Sequence, residues 1–167
     1  MESNLSAKRL RELIRNRQWT KPTSGAAAGY VQANLVMLPK EAAFNFLLFC
    51  VRNPKPCPIL DVLDPGQFEP HIAPGADLRT DLPHYCIFEN GKLKAETDDV
   101  CDYFHAGMVS FLLGCSFSFE NAMIAAGLPI RNIEENKNVS MYVTNRDCRP
   151  AGPFSAKLVV TMRPLTP

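Results

Sequence analysis

The sequence predicts a mixed α/β fold in a single domain. Apolar residues recur at helical spacing in two stretches of the first half, and shorter apolar runs of strand length separate them. A turn pair, Asn90-Gly91, stands between two extended runs and indicates a β-hairpin. Of the 167 residues, 46% are hydrophobic and 21% are charged, a balance that allows a packed core. Helices and strands alternate irregularly, which is typical of the mixed class.

The first half of the chain is predicted to contain two helices and two strands. Residues 5–17 place apolar side chains on one helical face and basic side chains on the other. Residues 30–38 are typical of a strand, and Pro39 suits the first turn of the helix predicted over residues 40–53. Residues 59–63 are typical of a short buried strand. The side chains expected to point inward from the second helix are Phe44, Leu47, Leu48 and Val51.

The second half is predicted to begin with the hairpin and to end with two strands. The hairpin occupies residues 84–97. An aspartate pair follows and is a suitable cap for a helix predicted over about residues 100–113. A further helix is predicted over residues 119–127, with a glycine at its C-terminal end. The last two strands are predicted at residues 141–145 and 156–162.

The charge and hydropathy of the chain argue against two classes of partner. The chain has 18 Lys and Arg residues and 17 Asp and Glu residues. Its net charge of +1 does not indicate a surface that binds nucleic acid or an anionic membrane. No apolar run approaches the length that crosses a bilayer, and the start of the sequence lacks the apolar core of a secretory signal. We expect a cytoplasmic protein, because Glu2 and Glu12 argue against a mitochondrial presequence.

Cysteine and histidine spacing predicts neither a metal site nor a cofactor. The six cysteines include no C-x-x-C pair and are expected to be reduced thiols. His71, His84 and His105 have no helical i, i+4 spacing, so a metalloenzyme is not expected. Glycine-rich nucleotide loops and the G-x-S-x-G motif are also absent from the sequence.

The first candidate for a site is the stretch FLLGCSFSFENAM, residues 111–123. A helix is predicted to begin near Ser116 or Ser118, because Ser is a preferred N-cap. Amides at such a start bind anions, so Gly114 and the two serines are candidates for holding a carboxylate or an oxyanion. Cys115 is then a candidate base or nucleophile. The alternative is a capped helix with Cys115 as a small buried hydrophobe.

The second candidate is the Pro-bounded loop of residues 73–85, where Asp77, Arg79 and Asp81 alternate. Arg79 is suited to grip a substrate carboxylate with two parallel hydrogen bonds. Either aspartate is a candidate general base if burial raises its pKa. The alternative is a solvated loop with a local ion pair that contributes little.

Arg149 lies in the third candidate stretch, residues 142–154, which carries amide and guanidinium groups at a strand end. Strand ends in α/β sheets are frequent ligand sites. The alternative is a Pro-Gly turn that leads to the last strand. Spacing along the chain does not separate these two interpretations.

Blocks along nearly the whole chain resemble, in the same order, the bacterial putative hydro-lyase family. The blocks are residues 29–62, 73–85 and 111–122, followed by the segments CRPAGPF and LVVTMRP near the end. FLLGCSFS and LVVTMRP also make the chain similar to the N-terminal region of D-glutamate cyclase. This resemblance implies an α/β fold of two subdomains.

The resemblance implies a lyase that eliminates water from a small amino or hydroxy carboxylic acid, without a cofactor. D-glutamate cyclase closes D-glutamate to 5-oxo-D-proline, so this ring closure is one expected reaction. A small carboxylic acid is thus the expected partner, and a homo-oligomer is compatible with the sequence. The motif positions carried over as catalytic are Asp77, Asp81 and Cys115, and those carried over as substrate-binding are Arg79, Gly114, Ser116, Ser118 and Arg149.

Family members continue beyond the LVVTMRP strand. We therefore expect the single domain of residues 1–167 to be truncated relative to the family and incomplete at its C-terminus. The alternatives to catalysis are a non-catalytic carboxylate-binding or interaction module and an inactive truncated family member.

Overall fold

The computed structural model describes residues 5–135 and 137–165 and has the mixed α/β class that the sequence predicts. The helices within these ranges are α1 (Ala7–Arg15), α2 (Lys40–Arg52), α3 (Glu120–Ala125) and α4 (Arg131–Glu134), with a 3-10 helix at Ser116–Phe119. The strands are β1 (Ala33–Pro39), β2 (Ile59–Val62), β3 (Tyr85–Glu89), β4 (Lys92–Thr97), β5 (Met108–Gly114), β6 (Ser140–Asp147) and β7 (Lys157–Met162).

A three-stranded antiparallel sheet, in the order β1-β5-β2, forms the centre of the fold. Leu112 of the central strand packs with Leu63 and Leu78 on one side. The ring of Phe111 meets Phe46 of α2 at a centroid distance of 4.9 Å. Strand β5 is therefore covered on both faces, which is how a strand with a continuous apolar run avoids water.

The prediction of a helix over residues 100–113 is wrong. Residues 100–107 form turns, and the apolar run that follows them is strand β5. A strand buried on both faces has no polar alternation, so periodicity alone does not distinguish it from a buried helix. The aspartates thought to cap that helix instead lie at the end of the β3–β4 hairpin.

Helix α2 forms directly after Pro39, as predicted, but its buried face differs from the prediction. Phe44 is 72% exposed and Val51 is 61% exposed, whereas Phe49 and Cys50 are buried. Apolar residues surround much of this helix, so the sequence pattern does not determine which face packs on the sheet.

The hairpin at Asn90-Gly91 is confirmed. Both residues have positive φ, 50° and 75°, as a type I′ turn requires. Strands β6 and β7 are confirmed as a second antiparallel hairpin, and the helix predicted over residues 119–127 is confirmed as the shorter α3.

Helix α1 is confirmed and forms one wall of the site described below. The hydroxyl of Ser6 caps it by accepting a hydrogen bond from the amide of Arg9 at 3.2 Å. Leu10 and Ile14 are buried in a cluster that includes Trp19. The opposite side of the helix carries basic side chains, and these make polar contacts.

Candidate active site

A cavity of about 870 Å³ lies between α1, the loop of residues 22–34, the loop of residues 70–84 and the end of β5. Its volume is within the range of small-molecule sites. The polar side chains on its wall include Arg11, Tyr30, Asn34, Asp81, His84 and Cys115. The cavity is therefore the best candidate for a ligand site among the described residues.

Two arginines of α1 converge on Asp81, which is buried at the cavity wall. Arg15 donates from Nε and Nη2 to the two carboxylate oxygens, the second bond measuring 2.6 Å. Arg11 Nε lies 3.5 Å from Oδ2 of the same carboxylate. Residues four apart share one side of a helix, so a single anion can meet both guanidinium groups.

Asp81 has little accepting capacity left for a substrate. Besides the two arginines, its carboxylate accepts the amide N–H of Asp77 at 2.9 Å and the hydroxyl of Thr80 at 3.3 Å. Its side chain is only 2% exposed. A carboxylate whose oxygens are occupied in this way has little room to accept a hydrogen bond from a substrate. The geometry indicates that Asp81 positions α1 and its arginines.

Arg11 is the cation best placed to meet a ligand. Its side chain is 20% exposed and lines the cavity. Its Nε is buried, and within the described ranges that atom makes no hydrogen bond. A part-buried cation with incomplete hydrogen bonding favours a nearby anion, so an anion in the cavity would be stabilised beside the guanidinium of Arg11.

Asp77 and Arg79 form a pair of their own and do not line the cavity. Arg79 donates two hydrogen bonds to the carboxylate of Asp77, at 2.9 and 2.7 Å, and its guanidinium stacks 3.6 Å above the ring centroid of Phe68. Burial acts to raise the pKa of Asp77, but the hydrogen bonds and charge of Arg79 outweigh it and lower the pKa overall. Each therefore neutralises the other.

Tyr85 holds the loop that carries Asp81. Its hydroxyl donates to the carbonyl of Leu78 at 2.9 Å and accepts the amide N–H of Leu82 at 3.1 Å. Burial raises the pKa of Tyr85 above its ordinary value of 10.0, and the nearby charges of Asp81 and Asp77 act in the same direction.

We expect the Tyr85→Phe variant to be less stable than the wild type by about 1–2 kcal/mol at neutral pH, because two buried backbone groups lose their partner. The stability difference should shrink as the pH rises above about 10. There the unfolded wild type releases the phenolic proton and the folded wild type retains it, so only the wild type loses stability. Urea unfolding between about pH 8 and about pH 11 measures both effects.

Tyr142→Phe is the matched control, since Tyr142 is 50% exposed. Its stability difference from the wild type should stay near zero. A Tyr85→Phe difference that is independent of pH would contradict the assigned role of burial.

Three amides in the stretch of residues 114–118 are already bound to backbone carbonyls. The amide of Gly114 donates to Pro58 O at 2.7 Å and that of Cys115 to Gln32 O at 3.1 Å. The amide of Ser118 donates to the carbonyl of Cys115 at 3.2 Å. These backbone bonds join the stretch to its neighbours, which favours the structural interpretation of the motif.

A 3-10 helix begins at Ser116, as predicted, but neither serine of this stretch caps a helix through its side chain, so the expected capping role is wrong. Both hydroxyls are taken by residues that are distant in sequence. The Ser118 hydroxyl accepts the amide N–H of Gln32 at 2.8 Å, and the Ser116 hydroxyl accepts from Arg163 Nη2 at 3.1 Å.

Arg163 and Glu120 form a buried ion pair behind this stretch. Arg163 donates from Nε and Nη2 to Oε1 of Glu120, at 2.8 and 2.6 Å, and Ser24 donates to Oε2 at 3.0 Å. The two charged side chains are 5% and 1% exposed. We call Ser24, Ser116, Glu120, Thr161 and Arg163 the Glu120 cluster.

Arg149 lies apart from the cavity. Its side chain is exposed, and its backbone is held by the side chain of Asn53, which donates to its carbonyl and accepts from its amide. Of the eight residues suggested by the sequence, only Asp81 and Cys115 line the cavity.

The polar cavity residues that were not among the candidates from the sequence include Arg11, Tyr30 and His84. Arg11 had a usable signal, because it stands four residues before Arg15 on one helical side. That spacing indicates a shared anion as readily as a solvated face. Tyr30 and His84 lie in irregular segments, where the sequence pattern carries no such signal.

Within the described ranges, no helix has the length and apolar character needed to cross a membrane.

Comparison with known proteins identifies the relatives of this chain. Residues 109–167, which contain both FLLGCSFS and LVVTMRP, match the family model described as D-glutamate cyclase. A protein named "Putative hydro-lyase" from Syntrophobacter fumaroxidans is 63% identical over 161 residues, and another from Stutzerimonas stutzeri is 56% identical over 163. These alignments cover 96% and 97% of this chain and 62% of each relative.

The fold and cavity thus define a mixed α/β protein with a candidate ligand cavity. The chain is homologous to the bacterial proteins that carry the hydro-lyase name, and the resemblance indicated by its motifs is confirmed. It spans about 62% of the length of these relatives.

Proposed function

We propose that this chain provides the substrate-binding cavity of a hydro-lyase that acts on a small amino or hydroxy carboxylic acid. The observation that carries the proposal is the part-buried guanidinium of Arg11, whose buried Nε makes no hydrogen bond, on the wall of a cavity of about 870 Å³. The names of the relatives support the reaction class. Because the chain spans about 62% of their length, the activity of the whole protein is part of the proposal.

Arg11 binds a carboxylate of the substrate in this proposal. A planar guanidinium matches a carboxylate with two parallel hydrogen bonds, and burial strengthens the contact. The carboxylate of Asp81 lies beside Nε of Arg11 and so positions its guanidinium. Arg15 forms the closer ion pair with Asp81 and neutralises most of the charge of that carboxylate. Asp81 is therefore a positioning residue here and does not contact the substrate.

Cys115 is the proton-transfer group that the geometry favours among the three suggested by the sequence. Asp77 and Asp81 are each bound by an arginine, so neither carboxylate is free to contact the substrate. Cys115 lines the cavity and is half-buried. Arg79, Ser116 and Ser118 support the loops around the cavity through the contacts described above.

D-glutamate is the proposed substrate, supported by the family description for residues 109–167. Its neutral amine attacks the carbon of the side-chain carboxyl group, and a new carbon–nitrogen bond closes the ring. One carbon–oxygen bond breaks, and the oxygen leaves as water after it gains two protons: the one that the ammonium group released to become the neutral amine and the one that the attacking nitrogen loses. The products are 5-oxo-D-proline and water, so no oxidant or reductant is needed.

The test measures binding and turnover of D-glutamate by the wild type, Arg11→Ala and Arg9→Ala. Arg9 lies on the same helix, with an exposed side chain paired to Glu12, and is the matched control. Loss of one buried charge-assisted contact should weaken binding by about tenfold or more in Arg11→Ala. Arg9→Ala should bind as the wild type does. Equal binding by all three proteins would refute the assignment of Arg11.

Turnover separates the enzyme from the non-catalytic carboxylate-binding module. Formation of 5-oxoproline by the wild type, with loss of product formation in Cys115→Ser, supports the lyase. Saturable binding without product supports the binding module instead. The ion pairs that Asp77 and Asp81 form with arginines also favour the binding module. The control for Cys115→Ser is Cys101→Ser, which changes an exposed thiol away from the cavity.

A further inference from the structure

Three different metal-ligating groups meet on the β3–β4 hairpin, beside the cavity. One ligand atom from each of His84, Cys86 and Glu96 lies within 4.8 Å of the other two. Among residues 5–135 and 137–165, this is the one set of three or more His, Cys, Asp or Glu residues that meets that spacing. The sequence spacing of the histidines and cysteines did not predict it.

The strand register explains how the three side chains meet. Cys86 and Glu96 are direct partners across the antiparallel hairpin. Opposite residues on one face have side chains about 5 Å apart at their Cβ atoms. His84 precedes Cys86 by two residues, which places both on the same side of an extended chain. Its Nε2 lies 3.7 Å from Oε2 of Glu96.

We propose that His84, Cys86 and Glu96 bind a divalent transition-metal ion of the Zn²⁺ class. Zn²⁺ takes histidine nitrogen at about 2.0 Å, thiolate sulfur at about 2.3 Å and carboxylate oxygen at similar distances. Tetrahedral angles with these bonds place neighbouring ligand atoms about 3.3–3.8 Å apart. The three atoms are thus within about 1.5 Å of the required spacing, and exposed side chains adjust by this amount through rotations about their χ angles.

The mixture of donor atoms selects the class of metal. Thiolate and imidazole favour Zn²⁺, Co²⁺ or Cu²⁺, whereas Mg²⁺ and Ca²⁺ prefer oxygen ligands. Three protein ligands leave a fourth position for water or another ligand, as in catalytic zinc sites. His84 also lines the cavity, so an ion bound by these residues lies at the edge of the proposed substrate site.

An ordinary ion pair between His84 and Glu96 is the competing interpretation. Their side chains are 54% and 55% exposed, and such a pair contributes little to stability. An ion pair makes no use of the thiol of Cys86. A role for the thiol is therefore the feature that separates a metal site from an ion pair.

The test is a titration of the full chain with Co²⁺, followed by optical absorption, and competition by Zn²⁺. A thiolate bound to Co²⁺ gives a near-ultraviolet charge-transfer band. We expect saturation at one ion per chain and displacement by Zn²⁺. Cys86→Ser should lose the band, and His84→Ala and Glu96→Gln should each weaken binding at least tenfold.

Matched controls exist for two of the ligands. Cys101→Ser changes another exposed cysteine, and Glu89→Gln changes an exposed glutamate of the same hairpin that pairs with Lys94. Both should bind Co²⁺ as the wild type does. The three ligand positions are exposed, so their variants should fold, and circular dichroism of each variant checks this.

Several results would overturn the proposal: no saturable band, a band that persists in Cys86→Ser, or equal affinity in Glu96→Gln and the wild type. Zn²⁺ should also raise the melting temperature of the wild type and leave that of Cys86→Ser unchanged. Metal binding is measured without substrate. A chain that binds Co²⁺ and does not bind D-glutamate would therefore refute the proposed function alone.

Discussion

Replacing Asp81 by Asn should lower the free energy of unfolding by about 3 kcal/mol, because the change removes a buried counter-charge from two part-buried arginines. Arg15 and Arg11 both approach this carboxylate. The side chain of Arg15 is 38% exposed, so water relieves part of the penalty and the effect falls at the lower end for buried pairs. The amide also replaces one acceptor oxygen with a donor that faces the same guanidinium groups. Urea unfolding at neutral pH measures the change.

Glu12→Gln is the control for this substitution. Glu12 pairs with Arg9 on the same helix, but the two side chains are 38% and 56% exposed. Losing this pair should cost less than about 0.5 kcal/mol. If Asp81→Asn costs less than about 1 kcal/mol, the carboxylate does not hold α1 in place, and its role as a general base regains support.

Replacing Glu120 by Gln should lower the free energy of unfolding by about 3–4 kcal/mol, since Arg163 then becomes a buried, unpaired cation. Both side chains are almost fully buried, so water cannot replace the lost charge. Glu120 also accepts the hydroxyl of Ser24, which ties the loop before β1 to α3. The loss should appear as an earlier midpoint in urea, without a change in the slope of the transition.

Two further variants test this assignment. Glu135→Gln removes an exposed pair with Arg131 and should leave the midpoint unchanged. The double variant Glu120→Leu with Arg163→Met replaces both charges by apolar groups and should recover much of the lost stability. A double variant as unstable as Glu120→Gln alone would mean that the cluster acts through its shape and hydrogen bonds more than through its charge.

Local chemistry explains why some elements were predictable. The turn at Asn90-Gly91 requires two residues with positive φ, and these residues adopt that conformation readily. Helix α1 has one apolar face and one polar face, and this pattern repeats at every helical turn. Strand β5 has no such contrast, since Val109, Phe111 and Leu112 are all buried by neighbours that lie elsewhere in the chain. Its prediction failed because tertiary burial, not local pattern, determines its structure.

The candidate site was predictable only in part, for a related reason. Asp81 and Cys115 stand in motifs that the sequence displays, and both reach the cavity wall. The partners of these motifs are far away in sequence: Arg15 lies 66 residues before Asp81, and Arg163 lies 47 residues after Ser116. A charged or hydroxyl side chain in a motif does not reveal whether it meets a ligand or a distant residue of its own chain.

The 66-residue separation between Arg15 and Asp81 also affects how the protein is made. Helix α1 has nine residues, too few for a stable isolated helix in water. During synthesis it leaves the ribosome long before its carboxylate partner exists, and the cavity wall that includes Cys115 emerges later still. We therefore expect α1 to be only partly formed until the segment that carries Asp81 has been translated.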